Sequence, residues 1–432
     1  MTDIRSVLGE RDLLDGNVFS PDLLAALGEE EADLPMQTGS VGDSPPTGLF
    51  RLPTATAAVR ATAANWLQKG NTHDERLLHE AETSMLLRPP VHERARAVDE
   101  ELAALFLGVA HSWLSVAERE RDPRYLNAAL KLIGCAVLSG RAAARGREAR
   151  SAVASALATL ARTEAAIPST LPPPSHSVPS RLSPRTEVSG DSRIVVLAGE
   201  GSRGLPLFLS AARTCGFTVH GVLHHASAPS GIPDSSDYLS AWYPLATAPA
   251  ATAPPAETYA GLHQRHLPHG AWDVAVEQLA AWNTGLLVLL GMDVVPPHVL
   301  EVPTAATINA HNGELPAFRG MDAVAWARLA GQHPVCSVHR VTRNVDAGNV
   351  LASAIVAAGS PDLRAAVKAC QIRLLADLAA DYAATGNLPV GKSQDETDAR
   401  RWYRMHPALR RLLDRHHTDL TRPTNTYKEP SI

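Results

Sequence analysis

The stretch "INAHNGELPAFRGMDAVAWARLAG", from Ile308 to Gly331, places an asparagine and a histidine two residues apart at the end of an apolar segment. Side chains two residues apart on an extended segment point to the same side, so Asn309 and His311 are expected to share one face of a sheet. An amide is an uncharged hydrogen-bond donor, and an imidazole transfers protons near neutral pH. The stretch therefore predicts a strand that carries a chemical site at its end.

A carboxylate follows in the stretch "HRVTRNVDAGNVL", from His339 to Leu351, which supplies Asp346 in a turn before a β-like run. An amide that polarises a carbonyl, an imidazole that moves a proton and a carboxylate that orients the imidazole form a set suited to acyl transfer. The spacing leaves open whether Asp346 reaches His311. It also leaves open a purely structural role for Asn309 and His311 at a strand end.

Short apolar runs alternate with helical stretches from Arg193 onwards. In order they are "RIVVLAG", "LPLFLSAARTCG", "FTVHGVLHH", "LAAWNTGLLVLLG" and "AATINAH". This order predicts an α/β fold with a Rossmann-like parallel sheet that has helices on its faces. Ligands bind at the carboxyl ends of the strands in such sheets, so the loops after Leu197, Leu290 and Ile308 are the candidate sites.

Two of these loops are rich in glycine or proline. The first, "GEGSRG" at Gly199 to Gly204, has the Gly-x-Gly-x-x-Gly pattern, but the next strand ends in His224 and His225 where a dinucleotide site would need an acid. Either it seats an anion at a helix N-terminus or it is only a tight turn. The second, "GMDVVPPHVL" at Gly291 to Leu300, could offer backbone groups to a flat heteroaromatic ligand, and here too a simple turn is the alternative.

Composition changes divide the 432 residues into segments. Ala- and Leu-rich stretches with three- and four-residue spacing predict helices before residue 166, with Trp113, Leu126 and Leu130 in their core. Polar, Gly- and Pro-rich residues at 29–48 predict a loop. The predicted organisation is an all-helical accessory domain at 1–166, a Pro/Ser-rich linker at 167–192, a catalytic domain at 193–386 and a tail with a short helix at 387–432.

The overall charge and the N-terminal sequence predict a cytoplasmic protein and disfavour a nucleic-acid partner. The net charge of -5 provides no overall basic field for nucleic acid, and an acidic N-terminal stretch without a long apolar run predicts neither a signal peptide nor a membrane span. Four scattered cysteines predict free thiols.

In the tail, a solvated helix with Trp402 and Tyr403 packed on the domain is favoured over a surface for an anionic partner. No metal site is predicted, because two histidine groups lack paired acids or cysteines; these are His220, His224 and His225, and His263, His266 and His269.

From Arg193 to about Gly386 the sequence resembles the formyltransferase family, whose signature runs Asn-x-His, a Leu-Pro turn, Arg-Gly, a Trp-Ala helix and Asp-x-Gly. The matching positions are Asn309-Ala310-His311, Leu315-Pro316, Arg319-Gly320, Trp326-Ala327 and Asp346-Ala347-Gly348. The resemblance implies a formyltransferase domain that uses 10-formyltetrahydrofolate as its formyl donor. It also implies catalytic roles for Asn309, His311 and Asp346.

By the same resemblance, Asn309 would bind the formyl oxygen, His311 would carry the proton of the attacking amine, and Asp346 would hold His311. The residues expected to contact the folate are Met292, Asp293, Val294, Val341, Asn344 and Val345. The residues expected near the acceptor are Gly199, Gly201, Ser202, Gly313, Glu314 and Arg319.

Departures from the family pattern bear on the acceptor. Gly313 and Glu314 stand where a serine is common, Asp293 stands where an arginine is common, and the segment after Gly386 is shorter than the barrel of initiator-tRNA formyltransferases. The expected acceptor is therefore a small amine or hydroxylamine in specialised metabolism, with an anionic group or a carrier protein as options. Three alternatives stay open: a 10-formyltetrahydrofolate hydrolase, a fold adapted to another one-carbon or carbamoyl donor, and a non-enzymatic scaffold whose helical domain recruits a partner. The oligomeric state is not predicted.

Overall fold

The computed structural model describes residues 57–83, 98–138, 147–168, 193–226, 261–292, 294–356, 363–406, 408–410 and 412–413. The predicted loop at 29–48 lies outside the described residues, as does residues 169–192 of the predicted linker. The described residues fall into two compact units, one made of those within 57–168 and 405–413 and the other of those within 193–226 and 261–404.

The first unit is helical. Its helices are α1 (Ala57–Lys69), α2 (Glu75–Thr83), α3 (Glu100–Glu120), α4 (Pro123–Leu138) and α5 (Arg147–Ala166), and residues 408–410 and 412–413 are also helical. Asp99 begins α3 because its carboxylate accepts a hydrogen bond from the amide of Leu102 at 2.9 Å. Trp113, Leu126 and Leu130 are fully buried at 0% exposure, which confirms the core predicted from helical spacing.

The second unit is an α/β fold. Its strands are β1 (Arg193–Gly199), β2 (Val219–His225), β3 (His263–Leu267), β4 (Thr284–Leu290), β5 (Ala306–His311), β6 (Arg319–Gly320), β7 (Val335–Arg340), β8 (Val350–Ile355) and β9 (Arg401–Trp402). Its helices are α6 (Gly204–Cys215), α7 (Trp272–Ala281), α8 (Pro297–Leu300), α9 (Ala323–Leu329) and α10 (Leu363–Thr385). Seven strands form one sheet in the order β3-β2-β1-β4-β5-β7-β8, and β6 pairs with β9. The α/β class predicted from the alternating pattern is confirmed.

The sheet is mixed and mostly parallel, so the predicted parallel arrangement is confirmed for β1 to β5 and an antiparallel edge is added to it. Strands β1 to β5 are parallel to one another, whereas β7 runs antiparallel to both β5 and β8. The physical reason for the antiparallel β7–β8 pair is the length of the connection between these two strands. Residues 341–349 form a hairpin, and a parallel crossover needs about a dozen or more residues. This hairpin carries Asp346.

Both faces of the sheet are covered, which explains the nearly continuous apolar strands. Successive β1 residues alternate between two cores. Ile194, Val196 and Ala198 pack in the core that contains α6 and α10, and Val195 and Leu197 pack in the core that contains α7. Because β1, β4 and β5 are parallel, their carboxyl ends lie along one edge, and the three loops selected from the sequence meet there.

The segment after α10 returns to the second unit. Residues 401 and 402 form β9 beside β6, so the helix predicted around Trp402 and Tyr403 is wrong at that position. Both aromatic side chains are nevertheless buried, at 9% and 7% exposure, and the Trp326 indole N–H donates to the Tyr403 carbonyl at 2.8 Å. Their predicted packing on the domain is confirmed. In the part of the chain that the structure describes, no helix has both the length and the apolar character needed to cross a bilayer.

Candidate active site

A polar stripe crosses one face of the β5-β7-β8 part of the sheet. In the antiparallel register Asn309 lies opposite His339, and His311 lies opposite Ser337. The residues that alternate with these along each strand face the other way: Ile308 and Val338 belong to a hydrophobic core. Strand alternation therefore places the amide and both imidazoles on the same face, as the Asn-x-His spacing predicts for Asn309 and His311.

His311 is held in a defined tautomer. Its side chain is 8% exposed, and Nε2 lies 2.6 Å from the carbonyl oxygen of Phe318. A carbonyl oxygen can only accept a hydrogen bond, so Nε2 must carry the hydrogen and Nδ1 must hold the free lone pair of the neutral ring. Nδ1 lies 3.5 Å from Oδ2 of Asp346. A proton taken up by His311 therefore arrives on the nitrogen that faces the carboxylate.

Asp346 reaches His311, which answers the question that the spacing left open. It has a positive φ of 55°, a conformation that asparagine and aspartate tolerate better than most residues. Its Oδ2 accepts a hydrogen bond from the amide of Gly320 at 3.0 Å. Burial alone raises the pKa of Asp346, but the histidines His339 and His311 and the Gly320 amide outweigh that effect and lower the pKa to about 2. The side chain is therefore a carboxylate at neutral pH.

His339 is a member of this cluster that the sequence analysis did not select. Its Nδ1 lies 2.9 Å from the Arg340 carbonyl, and its Nε2 lies 3.4 Å from Oδ1 of Asp346. In both His311 and His339, one ring nitrogen lies close to a backbone carbonyl oxygen, and the other faces an oxygen of the Asp346 carboxylate. The available signal was the period-two alternation of β7, which puts a histidine on the polar face, but the register with Asn309 is visible only in the structure.

Asn309 is partly exposed, and no described residue hydrogen-bonds to its carboxamide. Its backbone is fixed between β4 and β7, with Leu289 and His339 as register partners. A rigid strand with a free side-chain donor at its end is suited to stabilise charge that develops on a ligand oxygen.

The two loops expected to hold a folate border one hydrophobic cluster. Met292 and Val341 both pack against the core formed by residues such as Leu289 and Val299. Val294 and Val345 expose apolar side chains, at 73% and 39%. Asn344 is exposed, and Asp293 lies outside the described residues. The arrangement offers apolar and backbone groups for a flat heterocycle, and the folate contacts stay a prediction.

The glycine loop after β1 packs on the loop after β4. A Cβ at Gly199 would lie 2.4 Å from the carbonyl oxygen of Gly291, so a side chain does not fit there. The Ser202 amide donates to the Gly199 carbonyl at 3.0 Å, and the Glu200 amide donates to the His225 carbonyl at 2.9 Å. Both of these amides are therefore already hydrogen-bonded to backbone carbonyls. Gly201, with φ of 71°, has open space where a Cβ would lie. Contacts of Gly199, Gly201 and Ser202 with the acceptor stay a prediction.

The other three residues predicted to contact the acceptor have different environments. Glu314 has an exposed side chain three residues beyond the strand that ends at His311. The Arg319 guanidinium is already hydrogen-bonded to Gln394 and paired with Glu396. A Cβ at Gly313 would lie 2.8 Å from Nε2 of His311, so this glycine is needed for the position of the imidazole.

Replacing Gly313 by alanine is expected to break the bond between His311 and Phe318. The added Cβ would lie 2.6 Å from the Phe318 carbonyl oxygen as well as against Nε2, and losing this buried bond costs about 1–3 kcal/mol. Imidazole ¹⁵N chemical shifts would report the change in the His311 tautomer, and thermal unfolding would report the destabilisation.

The matched control is Gly204→Ala, because the nearest atom to a Cβ at Gly204 lies 3.5 Å away, an ordinary contact. An unchanged His311 spectrum in the Gly313→Ala protein would contradict the proposed reason for this glycine.

Histidines elsewhere form pairs. His224 stacks on His266 with ring centroids 4.6 Å apart, and the rings of His220 and His263 lie 4.9 Å apart at the β2–β3 edge. Among the described residues, the group of at least three side chains spaced for a metal ion is His73, Glu75 and Asp122, in the helical unit.

Arg124 already pairs with both carboxylates of that group, at 2.5 Å from Glu75 and 2.6 Å from Asp122. The guanidinium therefore supplies the positive charge there. All four cysteines are free and buried, which confirms the prediction of free thiols.

Part of the chain resembles one known protein family. Residues 248–365 match the model of the formyl transferase family. A methionyl-tRNA formyltransferase of Azobacteroides pseudotrichonymphae is 30% identical over 78 residues, which span 18% of this chain and 24% of that protein. Glycinamide ribonucleotide transformylase 1 from Symbiobacterium toebii is 23% identical, and the match covers 45% of this chain and 90% of that chain with a TM-score of 0.33. A sugar N-formyltransferase from Shewanella sp. FDAARGOS_354 is 15% identical over 49% of this chain and 76% of that chain, with a TM-score of 0.34.

The family match includes the strand with Asn309 and His311 and the hairpin with Asp346. Over residues 248–365, which are less than half of its length, the chain is similar to the formyl transferase family.

Proposed function

We propose that the protein is an N-formyltransferase that moves the formyl group of 10-formyltetrahydrofolate to the amine or hydroxylamine of a small acceptor. The observation that carries the proposal is the convergence of Asn309, His311 and Asp346 at the carboxyl end of β5. The family match over residues 248–365 supports the choice of a formyl group.

Asn309 and His311 have different roles in the transfer: Asn309 stabilises negative charge, and His311 moves a proton. When the amine nitrogen bonds to the formyl carbon, negative charge grows on the formyl oxygen, and the free Asn309 carboxamide donates to it. Nδ1 of His311, which holds a lone pair, accepts the amine proton. The bond between the formyl carbon and the folate nitrogen then breaks, and His311 returns the proton to that nitrogen.

Asp346 and His339 support the proton transfer. The carboxylate lies 3.5 Å from Nδ1 of His311, so it stabilises the imidazolium that forms when the ring takes the proton. Asp346 need not take the proton itself, because its pKa of about 2 keeps it ionised. His339 adds a second imidazole to the other carboxylate oxygen at 3.4 Å.

The acceptor is expected to enter beside Glu314, whose exposed carboxylate would attract a protonated amine. An acceptor with an anionic group, or one delivered on a carrier protein, is compatible with this entry. The glycine loop at 199–204 is the place where an anionic group would bind, at the start of α6.

The pH dependence of turnover is expected to reflect neutral His311. Burial lowers the pKa of this imidazole from its ordinary 6.5, and His339 lowers it too, whereas Asp346 and the Phe318 carbonyl oppose the shift. The active form is the unprotonated ring, so kcat/KM should fall with decreasing pH, and the midpoint of that fall should lie below 6.5. A pH–rate profile over about pH 5–8 measures it; a midpoint above 6.5 would contradict a buried, neutral base.

A screen of amines and hydroxylamines with 10-formyltetrahydrofolate tests the proposal. Mass spectrometry should show one acceptor that gains one formyl group for each tetrahydrofolate formed. Release of formate without any formylated product would instead identify a hydrolase. If the folate is left intact while another one-carbon or carbamoyl donor is consumed, or if nothing is consumed, the proposal fails.

A further inference from the structure

The segment after α10 runs along the hairpin that carries Asp346. The backbones of Val350 and Lys392 exchange two hydrogen bonds, at 2.9 Å and 2.8 Å. Asn349 donates from its side chain to the Val390 carbonyl at 3.1 Å. Residues 389–396, which we call the strap, therefore lie against the loop that positions the carboxylate.

Gln394 is the strap residue that contacts this loop directly. Its Nε2 donates to the carbonyl oxygens of Asp346, at 2.8 Å, and of Gly348, at 2.7 Å. Its Oε1 accepts from Nε and Nη2 of Arg319, at 3.0 Å and 2.8 Å. The carbonyls can only accept and the guanidinium can only donate, so the orientation of the amide is fixed and its full hydrogen-bonding capacity is used.

The loop needs such support because Asp346 is in the left-handed region at φ 55°. A non-glycine residue pays about 1–2 kcal/mol there, so the conformation persists only where surrounding contacts determine it. On one side, the Gly320 amide holds the carboxylate. On the other, Gln394 holds the carbonyl of the same residue, and Arg319, the neighbour of Gly320, holds Gln394.

We propose that Gln394, oriented by Arg319, is a positioning residue that fixes the Asp346 carboxylate against His311. Its meaning for catalysis rests on the proposed formyl transfer. Arg319 then acts through Gln394 rather than by binding the acceptor. The strap, which lies beyond the catalytic domain predicted to end at residue 386, is part of the active machinery.

The test compares Gln394→Ala and Gln394→Glu with Glu396→Gln. The glutamate variant keeps an acceptor for Arg319 but cannot donate to the two carbonyls, so it should behave like the alanine variant. Glu396 pairs with the same arginine but has a side chain that is 71% exposed, so its replacement should change little. Thermal unfolding of each variant separates loss of position from loss of the fold.

Two readouts are measured. The first is the pKa of His311 by NMR without substrates. Asp346 raises that pKa in the intact site, so both Gln394 variants should lower it and Glu396→Gln should not. The second is kcat for formyl transfer, which should fall up to about 100-fold in both variants, with the acid limb of the pH profile moved to lower pH.

The NMR readout holds even if the chain transfers no formyl group, so failure of the proposed function is distinguishable from failure of this inference. An unchanged His311 pKa in folded Gln394→Ala and Gln394→Glu proteins would overturn the positioning role, and so would an equal change in Glu396→Gln.

Discussion

Replacing His311 by alanine is expected to lower formyl transfer by about 10²–10⁴-fold, the range for loss of a general base. The imidazole is the group whose free lone pair, on Nδ1, can take the amine proton, because Nε2 is committed to the Phe318 carbonyl. Steady-state kinetics with the acceptor found in the screen measures the loss. The effect should lie in kcat, since His311 assists the reaction more than it binds either substrate.

Two further variants make this result specific. His311→Gln fills more of the cavity and should be equally inactive, which separates loss of the proton acceptor from loss of packing. His298→Ala removes an exposed histidine of the same unit and should retain wild-type turnover. Turnover unchanged in folded His311→Ala protein would show that the reaction does not use this imidazole.

Replacing Asp346 by asparagine should lower kcat by about 100-fold or more while the backbone stays in place. Asparagine tolerates the φ of 55°, and its side-chain oxygen can still accept from Gly320, so the change removes mainly the negative charge. The imidazolium form of His311 then loses its stabilising partner. Because Asp346 raises the pKa of His311, the acid limb of the pH profile should move to still lower pH.

Asp322→Asn is the matched control, because Asp322 also has a positive φ, of 53°, and pairs with Arg404. It should retain kcat within about twofold. Equal losses of kcat in the two asparagine variants would mean that the effect of Asp346 is not specific to its charge beside His311.

The fold could be read from the sequence where the local pattern is strong. The run from Arg193 to Gly199 is apolar at nearly every position, which is typical of a strand covered on both faces, and it is β1 in the structure. The antiparallel edge was missed because apolar runs do not encode strand direction. The short connection at 341–349 was the signal that β7 and β8 form a hairpin.

The site was predictable to the extent that it lies within one motif. Asn309 and His311 are two residues apart on one strand, so their shared face follows from alternation. His339 and Gln394 contact Asp346 from a neighbouring strand and from 48 residues further along the chain. Nothing in the polar stretch around Gln394 distinguishes it from a solvated loop, because its partners are backbone carbonyls brought near only by folding.

A crystal structure with an unreactive 10-formyl-folate analogue would show the proposed site directly. We expect the formyl oxygen within hydrogen-bonding distance of the Asn309 carboxamide. We also expect the heterocycle between the loops at 292–294 and 341–345, and the Asp346 carboxylate still facing His311. An analogue bound on another part of the sheet, with the Asn309 carboxamide unengaged, would contradict it.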